Sequence, residues 1–198
     1  MTAQPDPILD LFRSTGAYLQ GHFRLTSGLH SSEYMQCALV LRHPPAAEKL
    51  GGLLADRLRI LASGPIDLVV SPALGGLIIG HEVARALGTP FLFTERDTTA
   101  QKNMTLRRGF GVTLSEKAVV VEDVVTTGGS TREVVEVLRA GGAEVLAAGS
   151  IIDRSGGRAE VGVPRVALAT LEVVAWTPEE CPLCRSGVPV VKPGSRPA

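Results

Sequence analysis

Apolar residues recur along this chain in two rhythms. Four short runs, "IDLVVS", "PFLFTE", "KAVVVED" and "EVLAAGSIID", are nearly continuous and have strand length. Such runs fit strands of a sheet that is covered on both faces. Between them lie segments with helical spacing. One covers about 76–87 after the turn "PALGG"; another starts at Ser130 and ends near Gly141. Ser130 and Glu133 have the spacing of a capping box. "HPPAAEKLGGLLADRLRILA" predicts a further helix with prolines at its entry. Repeated strand–helix–strand units predict an α/β fold, a parallel sheet with helices on both faces.

The flanks are less regular. Residues 6–20 predict a helix whose apolar set is Ile8, Leu9, Leu11, Phe12 and Leu19. "HFRLTSGLHSSEYMQC" reads as two extended stretches about a polar turn at Ser27 and Gly28. Residues 97–108, "DTTAQKNMTLRR", have no period and predict a mobile loop. The segment from about 176 to 198 is rich in Pro and Gly and predicts irregular surface structure. A length of 198 residues favours one domain spanning 1–198.

Composition removes several classes. Lys plus Arg and Asp plus Glu are both 20, so the formal net charge is zero, which argues against a nucleic-acid binder working by bulk charge. No run reaches the ~20 apolar residues of a membrane span, and the start lacks a basic segment followed by an apolar one. Three cysteines cannot form a disulfide framework alone. The expectation is a cytoplasmic protein. "CPLC" at 181–184 is a C-x-x-C without two further ligands near it in sequence, so it reads as structural or incidental. Cys37 reads as core and Trp176 as packing. The histidines, His22, His30, His43 and His81, are scattered and suggest no catalytic pair.

The informative stretch is "VVVEDVVTTGGST", residues 119–131. Ligands of open parallel sheets bind beyond the carboxyl ends of strands. Glu122 and Asp123 stand at such an end, and ionised carboxylates only accept hydrogen bonds. They suit sugar hydroxyls or water on a metal ion. In Thr126, Thr127, Gly128, Gly129, Ser130 and Thr131, the glycines admit a phosphate to the main chain, and the N–H groups opening the next helix point at it. Together the two features fit a ribose 5-phosphate. A solvated turn before a capped helix is the plainer alternative, but an acidic pair directly after buried valines is costly without a partner. Neither a P-loop nor a G-x-G-x-x-G follows any strand.

This stretch resembles the phosphoribosyl-pyrophosphate (PRPP) loop of the type I phosphoribosyltransferases. "GHFRLTSGLHSSEYMQC" is similar to the hood segment of the orotate phosphoribosyltransferases, and "IIDRSGG" to their orotate-binding turn. "FTERD" and "LRRGF" flank a loop placed like their catalytic loop, and "SPALGGLIIG" matches their pyrophosphate loop. The resemblance runs from about residue 8 to 155. It implies the type I phosphoribosyltransferase fold with a small N-terminal hood from about 1–45. It implies transfer of the phosphoribosyl group of PRPP to orotate, giving orotidine 5′-monophosphate and pyrophosphate in UMP biosynthesis. It further implies Mg2+ carried by PRPP with no direct protein ligand, and a homodimer in which loop 97–108 completes the partner's site.

Carried over by position, Asp123 and Lys102 are catalytic. Arg96, Lys102, Glu122, Asp123, Val124, Val125, Thr126, Thr127, Gly128, Gly129 and Ser130 bind PRPP, with Thr131 closing the phosphate cradle. Thr126 and Arg154 contact orotate. A guanidinium fork suits orotate's carboxylate; an ordinary ion pair with Asp153 is the alternative for Arg154. The chain departs from the family at two places, with Thr26 and Gly75 where many members carry lysine. Arg96, Lys102, Arg107 and Arg108 are the candidates to compensate. A purine or uracil phosphoribosyltransferase would have no reason to keep the hood and the Arg154 turn. A PRPP-binding transcriptional regulator would add a basic face or a further domain.

Overall fold

In the computed structural model, which describes residues 6–25, 27–97 and 103–193, the chain opens with α1 (Pro7–Ser14), β1 (Tyr18–Arg24), β2 (His30–Met35) and α2 (Cys37–Leu41). There follow α3 (Pro44–Leu61), β3 (Leu68–Pro72), α4 (Gly76–Leu87), β4 (Phe91–Arg96), β5 (Met104–Leu106) and β6 (Lys117–Val125). The remaining elements are α5 (Gly129–Ala140), β7 (Glu144–Asp153), β8 (Arg165–Thr170), β9 (Ala175–Trp176) and α6 (Pro182–Arg185). Two units result, Leu41–Leu171 and a smaller one made of Met1–Val40 with Glu172–Ala198.

The larger unit holds a six-stranded sheet in the order β5-β4-β3-β6-β7-β8. All neighbours pair in parallel except β5, which lies antiparallel on β4. The alternation of side chains along a strand explains why its runs are apolar throughout. Leu68, Val70, Ala118 and Val120 join Val134, Val135 and Leu138 of α5 in one buried cluster. Val69 and Val119, one residue out of step, point to the opposite face and are also fully buried. That face is covered by α3 and α4, whose Leu50, Leu54, Leu58, Ile79 and Val83 are inaccessible to solvent. Each such side chain stabilises the fold by about 1.5–3 kcal/mol relative to exposure.

Several boundaries differ from the sequence reading. The first helix stops at Ser14 rather than near 20, because Gly16 takes a left-handed backbone (φ 69°) and turns the chain into β1, which claims Leu19. Segment 97–108 is only in part a loop. Met104–Leu106 forms β5, paired with Thr94–Arg96 and anchored by buried Met104. Three residues are too few to show a period. Residues 98–102, Lys102 among them, lie outside the described residues, as does Thr26. The strand carrying the acidic pair does not end on it but continues to Val125.

In the smaller unit β1, β2 and β9 form an antiparallel sheet. Ile8, Phe12, Phe23, Met35 and Cys37 are buried. The segment expected to be irregular carries the one-turn helix α6, and Val191 bridges to Phe23. Trp176 lies opposite His30 in the sheet register. Among the described residues no helix is long and apolar enough to cross a membrane.

Candidate active site

The site begins where β6 loses a neighbour. Its pairing with β3 reaches Val120, whereas its pairing with β7 continues to Val125. Glu122 and Asp123 therefore lie on a strand still held on one side and without a strand neighbour on the other. The location is set by topology. The connection from β3 leads to β4 on one side, and that from β6 to β7 on the other. Adjacent parallel strands whose connections diverge leave a crevice at their carboxyl ends, the usual ligand site of open α/β sheets.

Both walls of this crevice are glycine-bearing turns. After β3 the chain turns through Ala73–Gly75 into α4, and the main chain at Gly75 abuts the acidic pair. A Cβ there would lie 2.6 Å from Asp123 Oδ1. A side chain at this position would displace the Asp123 carboxylate from where it lies. After β6 the turn enters α5 through Gly128, which has φ 77° and whose Cβ would lie 2.8 Å from Val161 Cγ1. Only glycine satisfies both constraints. No side chain caps α5. The capping box expected of Ser130 and Glu133 is thus not formed: α5 starts at Gly129 with Gly128 at the cap, so Ser130 lies inside the first turn, and Glu133 binds Arg96 through contacts of 2.8 and 3.2 Å. The uncapped first turn leaves N–H groups for an anion. Thr126 and Thr127 are exposed, and Gly129 and Ser130 are partly so.

The electrostatics of the acidic pair follow from this enclosure. Burial pushes the Glu122 carboxyl up to about 7, and the charge of Asp123 adds to the effect. The Thr131 hydroxyl, which donates to Glu122, and the Arg96 guanidinium act in the opposite direction. Thr131 is buried, and its hydroxyl serves the carboxylate. Burial likewise raises Asp123, against the 2.9 Å hydrogen bond it accepts from Val124 N–H. Two neighbouring carboxyls raised by burial are held ready for hydroxyl or cationic partners.

A stability prediction follows. A carboxyl whose pKa rises on folding stabilises the native state fully below its unfolded value and loses that contribution as pH rises through the folded value. For Glu122 the window is 4.5 to about 7. Glu122→Gln should therefore gain stability relative to the native chain between about pH 4.5 and 8. The expected gain is about 1–2 kcal/mol after allowance for solvent screening. Urea unfolding at the two pH values measures it, and a difference independent of pH would refute the raised pKa.

The second cluster is the turn after β7. Arg154 N–H donates to the Val125 carbonyl at 2.8 Å, which sets Arg154 beside the residue preceding Thr126. Fully buried Asp153 accepts from Arg165 Nη1 (2.6 Å), Ser155 N–H (2.7 Å), Ser155 Oγ (2.6 Å) and Gly157 N–H (3.1 Å). Asp153 and Arg165 form the frame of this turn. Asp153 followed two residues later by Ser155 is a recognisable side-chain turn signal, whereas Arg165 carries no local signal of its own.

Among the basic candidates, Arg96 is paired with Glu133 beside Glu122. Arg108 makes a two-pronged ion pair with Glu95 (2.8 and 2.9 Å) and lies over the Phe93 ring. Arg107 is exposed.

The sequence profile of the phosphoribosyl transferase domain matches residues 38–179. The orotate phosphoribosyltransferase of Heliobacterium modesticaldum is 53% identical over 191 residues, 96% of this chain and 98% of that protein. The chain belongs to the orotate phosphoribosyltransferase family. The orotate phosphoribosyltransferase of Pelotomaculum thermopropionicum is also 53% identical, over 96% of this chain and 97% of its own length. Among solved structures, the orotate phosphoribosyltransferase from Aeropyrum pernix superposes with a TM-score of 0.68 at 28% identity, covering 83% of this chain and 94% of that one. The parallel sheet and its crevice are thus those of a type I phosphoribosyltransferase.

Proposed function

We propose that this chain transfers the phosphoribosyl group of PRPP to orotate, forming orotidine 5′-monophosphate and pyrophosphate in UMP biosynthesis. The observation that carries the reading is the placement of Glu122 and Asp123 at the divergence of β3 and β6, beside the uncapped N-terminus of α5. The carboxylates accept the ribose hydroxyls. Residues 126–130 hold the 5′-phosphate on main-chain N–H groups. Arg154 engages the carboxylate of orotate, with Thr126 beside it. Elements from about 1–45 serve as the hood of a single phosphoribosyltransferase domain, which acts in the cytoplasm.

The reaction is a substitution at the anomeric carbon: a ring nitrogen of orotate forms the new bond as the bond to pyrophosphate breaks. The transition state resembles an oxocarbenium ion, and negative charge gathers on the leaving group. Mg2+ fits this site by its chemistry: two hard carboxylates raised by burial face the crevice, and such oxygens suit a hydrated divalent cation. Carried by PRPP, the ion would neutralise the leaving pyrophosphate. The chain's own part is to orient the sugar through Glu122 and Asp123, to hold both ends of the substrate pair, and to exclude water from the activated ribose.

Offering orotate, uracil, hypoxanthine and adenine with PRPP and Mg2+ tests the reading. Pyrophosphate release should occur with orotate; release with a purine or uracil instead would overturn it.

The active site is further proposed to be shared between two copies of the chain. Lys102→Ala and Asp123→Asn should each be inactive alone, and mixed dimers should regain activity at one of two sites. A mixture that stays inactive after verified subunit exchange would refute sharing through Lys102. Arg107→Ala in place of Lys102→Ala would then identify the alternative, since Arg108 is committed to Glu95.

A further inference from the structure

Four side chains that the phosphoribosyl chemistry leaves unused meet in the smaller unit. They are His22 of β1, His30 of β2, and Cys181 and Cys184 of the "CPLC" segment, and their ligand atoms all lie within 4.8 Å of one another. The sequence reading of this segment as lacking further ligands is corrected here: the missing pair comes from the opposite end of the chain. His22 Nε2 lies 2.9 Å from His30 Nδ1, 3.4 Å from Cys181 Sγ and 3.7 Å from Cys184 Sγ. Cys184 Sγ lies 3.3 Å from His30 Nδ1. A tetrahedral zinc ion with ordinary Zn–N and Zn–S bonds separates its ligand atoms by about 3.3–3.8 Å. The four groups are already gathered on nearly that span.

The orientation of His22 agrees. Its Nδ1 lies 2.7 Å from the Val188 carbonyl, which can only accept, so Nδ1 carries the proton and Nε2 presents its lone pair to the cluster. One ring nitrogen tied to a carbonyl and the other aimed inward is the usual posture of a ligating histidine. His22, His30 and Cys181 are buried, while Cys184 reaches the surface and offers a path of entry. No carboxylate belongs to the cluster. Two thiols with two imidazoles select zinc over magnesium or calcium.

We propose that His22, His30, Cys181 and Cys184 bind one zinc ion that fastens the N-terminal hairpin to the C-terminal segment. Four protein ligands leave no open position, so the site is structural rather than catalytic. The need for it is visible in the unit itself. It is assembled from the two ends of the chain, around a three-stranded sheet whose last strand, Ala175–Trp176, has two residues. Small units with little core commonly rely on a metal or disulfide.

The test is metal analysis of the untagged full chain, purified under reducing conditions without chelator. About one zinc per chain is expected. After removal of zinc, Co2+ should give the strong visible bands of a tetrahedral site and a thiolate-to-cobalt charge-transfer band. Cys184→Ser, at the exposed ligand, should fold as judged by circular dichroism, yet lose the charge-transfer band and bind zinc at least tenfold more weakly. Cys37→Ser should keep both. Chelation should lower the Tm of the native chain and leave that of Cys184→Ser unchanged. The proposal is overturned if the folded native chain takes up neither zinc nor cobalt at one equivalent. It is equally overturned if uptake survives Cys184→Ser undiminished, or if the reduced preparation still holds a Cys181–Cys184 disulfide.

Discussion

Arg165→Met should destabilise the fold by about 3–5 kcal/mol, the expected cost of leaving one member of a buried ion pair without its partner. Asp153 is 1% exposed and the Arg165 side chain 15%, so water cannot take the place of the guanidinium. Arg165 also donates through Nε to the Ala159 carbonyl at 2.6 Å, tying the return of the chain into β8 to the turn at 153–157. Burial by itself would raise the Asp153 pKa, but the Ser155 hydroxyl, the Arg165 guanidinium and the Ser155 N–H outweigh it and hold it below the ordinary carboxylate value. Stability from this group is therefore present above the unfolded pKa and lost as pH falls through the folded one. Urea unfolding near neutral pH measures the loss in Arg165→Met. The Asp153→Asn, Arg165→Met double variant should lose less than the sum of the single changes, because no uncompensated charge remains. A single-variant loss below about 1 kcal/mol would show that the pair does not frame the turn.

Arg154→Ala should raise the KM for orotate by roughly one to two decades, from loss of a charge-assisted contact of about 1.5–3 kcal/mol. The KM for PRPP should barely change. The separation rests on the main chain: Arg154 is held by its own N–H to the Val125 carbonyl, and its neighbour Asp153 is framed by Arg165, Ser155 and Gly157. Truncating that side chain would remove the proposed orotate contact and leave the proposed phosphate cradle in place. Steady-state kinetics with each substrate varied in turn decides the matter. Equal changes in both constants, or none, would exclude Arg154 as the orotate ligand.

These two residues show how differently the sequence exposes function. Glu122, Asp123 and the glycine-rich turn were legible as candidates because their chemistry is local: acid, hydroxyl and glycine types crowd into thirteen consecutive positions, 119–131. Arg154 was legible as a candidate through its neighbours in "IIDRSGG". Arg165 was not, because its role depends on meeting Asp153 across the β7–β8 connection. Glu133 was misread for a related reason. Its spacing from Ser130 suits a local cap, but α5 starts earlier, with Gly128 at the cap, and Arg96 from the end of β4 binds the carboxylate at two points.

The sequence by itself determined the class of fold, the parallel strands, the main helices and the position of the stretch proposed to bind ribose phosphate. Hydrophobic periodicity and residue type are properties of neighbours along the chain, and burial on two faces leaves an unbroken apolar run. Tertiary structure alone decided the rest. The strand order placed the β3 and β6 turns side by side and set the Gly75 main chain against Asp123, a contact across 48 positions that no local pattern encodes. It also brought His22 and His30 to Cys181 and Cys184 from opposite ends of the chain. Contacts between distant segments follow from which faces are buried together, and linear spacing carries no record of that.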